Sequence, residues 1–321
     1  MKNKIIIVSG DPNSINSEII YKVWKKINDS TKNKIYIIGS FELLKKQFKK
    51  LNYKIKIIKV KNIYENIKSN KLKVIDVKLL FSNPFKVNKN SASKYVINSL
   101  NLAHIYAMNK DVSGLINCAI DKNLLKKNQT GVTEYLALKC GVKDKSEVML
   151  IRNNKFSVCP LTTHTDIREI PKKIKKTTIL KKIAVIDSWF RKIMQKKPSI
   201  GILGLNPHNA ELRKKSEEKR IIIPAIQKLK KNGFNVKGPL VADTVFIKDF
   251  KNYDVIMGMF HDQVLAPFKA MFKFDAINIT LGLKYLRVSP DHGTAKDLIK
   301  KNKAEIKSLL NCVKFIDNLK K

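Results

Sequence analysis

Residues 5–27 read IIIVSGDPNSINSEIIYKVWKKI. The first four form an unbroken β-branched run, the pattern of a strand buried on both faces. From Ser17 onward, Ile19, Ile20, Val23, Trp24 and Ile27 recur at helical spacing and give one apolar stripe. The same rhythm continues along the chain. Short apolar runs at 35–38, 55–60, 74–77 and 115–120 read as strands, and 93–108 reads as a helix through Val96, Ile97, Leu100, Ala103, Ile105 and Ala107. After Gly131 the spacing predicts a helix over 133–139, strands over 148–151 and 158–163, and a long helix carrying Ile183, Ala184, Ile186 and Trp189 that Pro198 closes. Strands follow at 199–205, 255–260 and 276–281, with helices at 222–231, 294–301 and 303–318. Such alternation specifies an α/β fold with a mainly parallel sheet.

A chain of 321 residues suggests two domains. No Gly/Ser hinge marks a boundary, so changes of rhythm set the expectation: an outer domain of 1–125 plus 270–321 and a middle domain of 126–269. The cysteines Cys118, Cys140, Cys159 and Cys312 contain no C-x-x-C pair, which argues against a disulfide scaffold or zinc ribbon and for a reducing cytoplasm. The apolar run at 5–8 is far short of the roughly 20 residues of a membrane span. Net charge is +39, yet only six of the 65 basic residues are arginine. The remaining lysines accompany abundant asparagine and isoleucine, as a compositional drift would produce, whereas nucleic-acid readers favour arginine forks. A nucleic-acid role is therefore discounted, although a field of this sign draws in phosphorylated small molecules.

Five histidines bear on chemistry. His104 falls within a helix and is set aside. His164, His208 and His261 each follow a predicted strand, at the carboxyl edge where open α/β sheets bind ligands. Three imidazoles there could share one divalent cation with positions left open; spacing alone equally permits three unrelated turn histidines. His292 lies in Asp291-His292-Gly293-Thr294, which reads as the capped amino end of the 294–301 helix and suits a phosphate or an ordinary cap. No G-x-G-x-x-G follows any strand; the Gly10-Asp11-Pro12-Asn13 turn resembles one only loosely. Arg287 is the only arginine after position 220 and is read as an anion contact or a structural ion pair.

The strings LTTH (161–164), GLNPH (204–208), GPLVADT (238–244), HDQ (261–263) and DHGTA (291–295) together resemble the 4-hydroxythreonine-4-phosphate dehydrogenase family of vitamin B6 biosynthesis. The resemblance runs from Gly10 to the carboxyl-terminal helices. It implies a two-domain α/β/α fold like isocitrate and isopropylmalate dehydrogenases, with an active-site cleft between domains. It also implies a homodimer with shared sites, in which His164, His208 and His261 hold a divalent metal (Zn, Mg, Co or Mn) and one ligand crosses the interface. The family's substrate contacts match Thr133, Lys269, Asn278 and Arg287, and NAD or NADP is expected near Asp291, His292, Gly293 and Thr294. Asp243 and Asp262 are candidates for orienting the histidines or relaying a proton.

On this resemblance the C3 hydroxyl of 4-phosphooxy-L-threonine is oxidised by NAD(P)+, and the β-keto acid loses CO2 to give 3-amino-2-oxopropyl phosphate. Two departures bear on the substrate. Val132 stands where the family usually has histidine, and the segment 116–122 keeps Lys122 but lacks the usual proline. Another phosphorylated hydroxy acid, such as a four-carbon aldonate 4-phosphate, is the first alternative. A metal-dependent hydrolase or lyase and a nucleic-acid binder rank below it.

Overall fold

The run that opens the sequence reading is strand β1 (Lys4–Val8), followed by a helix at Asn16–Lys26. The remaining strands are β2 (Ile35–Gly39), β3 (Ile57–Val60), β4 (Leu72–Asp76), β5 (Val112–Asn117), β6 (Val148–Arg152), β7 (Ser157–Thr162), β8 (Ile200–Leu203), β9 (Val236–Leu240), β10 (Val255–Phe260), β11 (Ile277–Leu281) and β12 (Arg287–Pro290). This computed structural model describes residues 4–65, 67, 70–125, 131–142 and 146–319. The chain divides into two units, Met1–Gly141 with Leu283–Lys321, and Val142–Gly282.

In the first unit the strand order is β3-β4-β2-β1-β5-β12, and every pairing is parallel. The helix Lys89–Ala107 buries Ala92, Tyr95, Val96, Leu100 and Ala103 in one core with Ile6, Val8, Ile38 and Leu115. Each large apolar side chain so buried is worth about 1.5–3 kcal/mol. Tyr95 also satisfies its buried hydroxyl, 2.6 Å from Ser9 Oγ and accepting from the Ser40 amide at 3.1 Å, so this helix pins the ends of β1 and β2. Lys73 on β4 is 1% exposed, with Nζ donating to the Asn33 carbonyl and lying 4.0 Å from the Tyr36 ring centroid. Burial, aided by nearby Lys4, pulls this ammonium down to about 8.

In the second unit the order is β11-β6-β7-β10-β8-β9. The strands β7, β10, β8 and β9 run parallel, while β6 pairs antiparallel with β7 and β11. Phe156 packs 4.9 Å from Phe250 and 5.3 Å from Phe268 by ring centroids, which seats the helix His261–Phe272 on its core.

Several expectations need amending. The segment 294–301 is not a helix: Ala295 adopts left-handed φ 44°, one 3-10 turn spans Lys296–Leu298, and Lys300 is again left-handed. Ala295, not Thr294, precedes that turn, and the Thr294 carbonyl accepts from the Ile15 amide at 3.2 Å. A lysine-rich stretch whose carbonyl is drawn into another loop lacks both the apolar stripe and the free end a helix needs. The last helix is Lys307–Asp317, shorter than 303–318. Helices at Phe41–Lys50 and His261–Phe272 and strands β9 and β12 were not anticipated. The units divide after Gly141 and Gly282, where changes of rhythm placed the breaks after 125 and 269; residues 126–130 lie outside the described residues.

Candidate active site

Four of the five family-like strings end at one edge of the second unit. Parallel pairing of β7, β10, β8 and β9 brings their carboxyl ends into line, with Phe260 opposite Thr162 and Leu203 opposite Leu240. Side chains then lace the loops that follow. Thr162 Oγ1 donates to the Met259 carbonyl at 2.8 Å. Gln263 accepts from the Met259 amide at 2.7 Å and donates through Nε2 to the Gly204 carbonyl at 2.8 Å. Asn209 Nδ2 donates to the Pro239 carbonyl at 3.1 Å. Gly204 leaves room here for the Asn209 side chain, whose Oδ1 would lie 2.0 Å from a Cβ and would have to shift.

His164, an exposed residue at φ 47°, follows β7, and His261 is the first residue of the helix His261–Phe272. Their ring centroids lie 5.7 Å apart. His261 Nδ1 is 2.6 Å from Asp262 Oδ1, which fixes that nitrogen to the carboxylate and leaves Nε2 for another partner. His208 stands on the next strand end, 3.6 Å through Nε2 from Asp243 Oδ2, both side chains largely exposed. His208 opens a run of five left-handed residues, with φ between 45° and 57° from His208 to Leu212. Non-glycine residues enter that region at a cost of about 1–2 kcal/mol each.

Among the described residues no three His, Cys, Asp or Glu side chains are gathered closely enough to hold one ion. One chain thus pairs two of the three candidate imidazoles, and the donor chemistry of that pair, with one ring carboxylate-oriented, suits a borderline divalent cation. In the same unit, Lys269 lies two turns along the helix from His261. Asn278 sits on β11 opposite Ile151, with Oδ1 buried and without a hydrogen-bond partner among the described residues.

The other candidates belong to the first unit. Arg287, 3% exposed at the start of β12, donates through Nε to Asn117 Oδ1 at 2.7 Å and through Nη1 to Thr133 Oγ1 at 3.1 Å. Burial pulls its guanidinium down to about 10, so it still carries its charge at neutral pH. Val132 and Thr133 open the helix Val132–Lys139. In the same unit, the loops after β1, β5 and β12 meet. The Asp11 amide donates to the Ala119 carbonyl at 3.0 Å, and Lys296 pairs with Asp121 at 2.8 Å. Gly10 holds φ 78° there, and a Cβ would meet the Ala119 carbonyl at 2.6 Å. Asp11 is 3% exposed, and burial pushes its carboxyl up. In the 291–294 loop the Asp291 amide donates to Ser308 Oγ at 2.8 Å. His292 Nδ1 lies 2.9 Å from the Gly293 carbonyl, with Nε2 buried and without a hydrogen-bond partner among the described residues, and Gly293 is exposed. The loop is an irregular turn rather than a helix amino end, so the helix-terminus reading of an anion site falls.

Sequence reasoning missed Glu218 and Gln263 as loop ties. Gln263 adjoins His261-Asp262 in one quoted string, whereas Glu218 sits in a charged run, SEEKR, that reads as a solvated helix start.

The model of the pyridoxal phosphate biosynthetic protein PdxA family matches residues 31–316. The 4-hydroxythreonine-4-phosphate dehydrogenase of Aquifex aeolicus is 38% identical over 99% of both chains, and the D-threonate 4-phosphate dehydrogenase of Salmonella typhimurium is 29% identical over 97% of both. The solved 4-hydroxythreonine-4-phosphate dehydrogenase of Klebsiella pneumoniae superposes with a TM-score of 0.85 at 28% identity, covering 98% of this chain and 97% of that one. Isocitrate dehydrogenase from Methylococcus capsulatus, at 8% identity and TM-score 0.50 over 98% of this chain and 84% of its own, shares the fold alone. With an α/β fold of this kind and a match along nearly its whole length, the chain belongs to the PdxA family of pyridoxal phosphate biosynthetic proteins.

Proposed function

We propose that this protein is an NAD(P)-linked, metal-dependent dehydrogenase that oxidises the C3 hydroxyl of 4-phosphooxy-L-threonine. The resulting β-keto acid loses CO2 to give 3-amino-2-oxopropyl phosphate. The observation that carries this reading is the full-length 38% identity to a relative bearing that name, together with the gathering of four motif strings on one sheet edge.

His164 and His261, with His208 completing the set, would hold the metal, one ligand crossing the interface of a homodimer; the support is the 5.7 Å approach of the His164 and His261 ring centroids. When bound, a divalent cation supplies Lewis acidity at the substrate oxygens, and a nicotinamide supplies the hydride acceptor. Asp262 keeps His261 oriented through Nδ1, and Asp243 faces His208. Arg287, charged and positioned by Asn117 and Thr133, would bind the phosphate or carboxylate; Lys269 and Asn278 are the second unit's own candidate substrate contacts. The loop 291–294 would border the dinucleotide. Four buried free thiols support a reducing, cytoplasmic setting.

A second reading, oxidation of D-threonate 4-phosphate, is favoured by two observations. Val132 lacks the polar side chain usual at that position, and a 29% identical relative carries that activity in its name. A coupled assay decides between them: protein reconstituted with Co, Mn, Mg or Zn is given each substrate with NAD+ or NADP+, following 340 nm absorbance and released CO2. Turnover of 4-phosphooxy-threonine with CO2 release is expected. Reduction with D-threonate 4-phosphate alone would replace the first reading, and no reduction with either would end both.

A further inference from the structure

Glu218 has 0% exposure, yet its partners among the described residues are amides rather than a cation. Its Oε1 accepts from the backbone amides of Leu205 and Asn206, each at 2.8 Å, and from Asn206 Nδ2 at 3.3 Å; Oε2 accepts from Asn206 Nδ2 at 3.1 Å. Glu217 Oε2 accepts from the same Nδ2 at 3.0 Å. A buried carboxylate is costly unless its lone pairs are met, and here they are met by consecutive groups of one loop. Burial opposes ionisation, but these amide donors outweigh it and hold the carboxyl below its ordinary value.

That loop is Leu205-Asn206-Pro207-His208, and it leads directly into the left-handed run from His208 to Leu212. Such a run persists only where its surroundings fix it. Glu218 anchors the entry to the run, and Asn209 ties its second residue to the Pro239 carbonyl. Gln263 joins the preceding Gly204 to the strand end that bears His261.

We propose that Glu218 is a positioning residue whose ionised carboxylate sets the backbone from Leu205 to His208 and thereby presents the His208 imidazole for cation binding. The proposal rests on the reading of His208 as a metal ligand. Glu218→Gln retains Oε1 for the backbone amides but places an NH2 group against the Asn206 amide, setting donor against donor. Asn206→Ala removes only the side-chain bonds and leaves both backbone amides on Glu218.

The test is calorimetric titration of metal-free protein with Co2+ for wild type, His208→Ala, Glu218→Gln and Asn206→Ala, with a thermal melt of each. Glu218→Gln is expected to bind Co2+ about 10- to 100-fold more weakly, in the range seen when outer-shell partners are lost, and Asn206→Ala several-fold more weakly, both with cooperative melts. Wild-type Co2+ affinity in folded Glu218→Gln, alongside weakened binding by His208→Ala, overturns the role of Glu218 and leaves the ligand assignment standing. Unchanged affinity in His208→Ala overturns both. Should Glu218→Gln fail to fold, Glu218→Asp, which shortens the reach to the Leu205 and Asn206 backbone amides, is titrated in its place, and unchanged affinity there overturns the proposal.

Discussion

Lys73→Met should stabilise the first unit at neutral pH and destabilise it in alkali. The side chain is 1% exposed and its ammonium titrates at about 8 in place of 10.5. That displacement corresponds to about 3 kcal/mol in favour of the neutral form. The unfolded chain keeps the proton up to about 10.5 and the folded chain only to about 8, so between those values the unfolded state binds more protons and wild-type stability rises with pH. Below about 8 the full penalty is present. Methionine preserves the volume of the stem but forfeits the hydrogen bond to Asn33 and the contact with the Tyr36 ring, about 1 kcal/mol each. The balance is a gain of about 1 kcal/mol at pH 7, which reverses to a loss of about 0.5 kcal/mol near pH 9.5 as wild-type lysine discharges. Urea unfolding followed by the fluorescence of Trp24, buried in the same unit, measures this at both pH values. A variant that is destabilised equally at pH 7 and 9.5 would refute the argument from burial of a charged ammonium.

Thr133→Val removes the hydroxyl that accepts from Arg287 Nη1; kcat/KM for the phosphorylated substrate should fall by about 1.5–3 kcal/mol, or about 10- to 150-fold, with a much smaller change in Tm. Asp262→Asn removes the carboxylate at His261 Nδ1 and should weaken Co2+ binding by about 10-fold, read by titration of metal-free protein. Gly204→Ala drives a methyl to 2.0 Å from Asn209 Oδ1 and 3.1 Å from Glu218 Oε1; about 1–3 kcal/mol of stability should be lost in chemical denaturation.

Much of the fold is legible in the chain because buried parallel strands announce themselves locally. The runs at 5–8, 35–38 and 255–260 became β1, β2 and β10 within a residue at either end. Where burial is one-sided or the turn chemistry unusual, local pattern loses the thread. β9 contains Gly238 and Pro239 within a strand, β12 is four residues long, and the Thr294 cap motif met a backbone already committed to Ile15. The 261–272 helix was hidden by the polar His-Asp-Gln opening, which reads as a strand-end turn until Phe268 finds Phe156.

The sequence alone determined the α/β alternation, the family and the chemically relevant residue types, since these depend on periodicity and on short strings at fixed spacing. Only tertiary structure decided which of them meet. His164 and His261 come together while His208 turns to Asp243, Arg287 is buried against Asn117 and Thr133, and Glu218, set in a run of charges, is the buried anchor of the 205–206 loop. The physical reason is that a side chain's partners are set by strand order and register, which join residues tens to more than a hundred positions apart, and no local pattern encodes that closure.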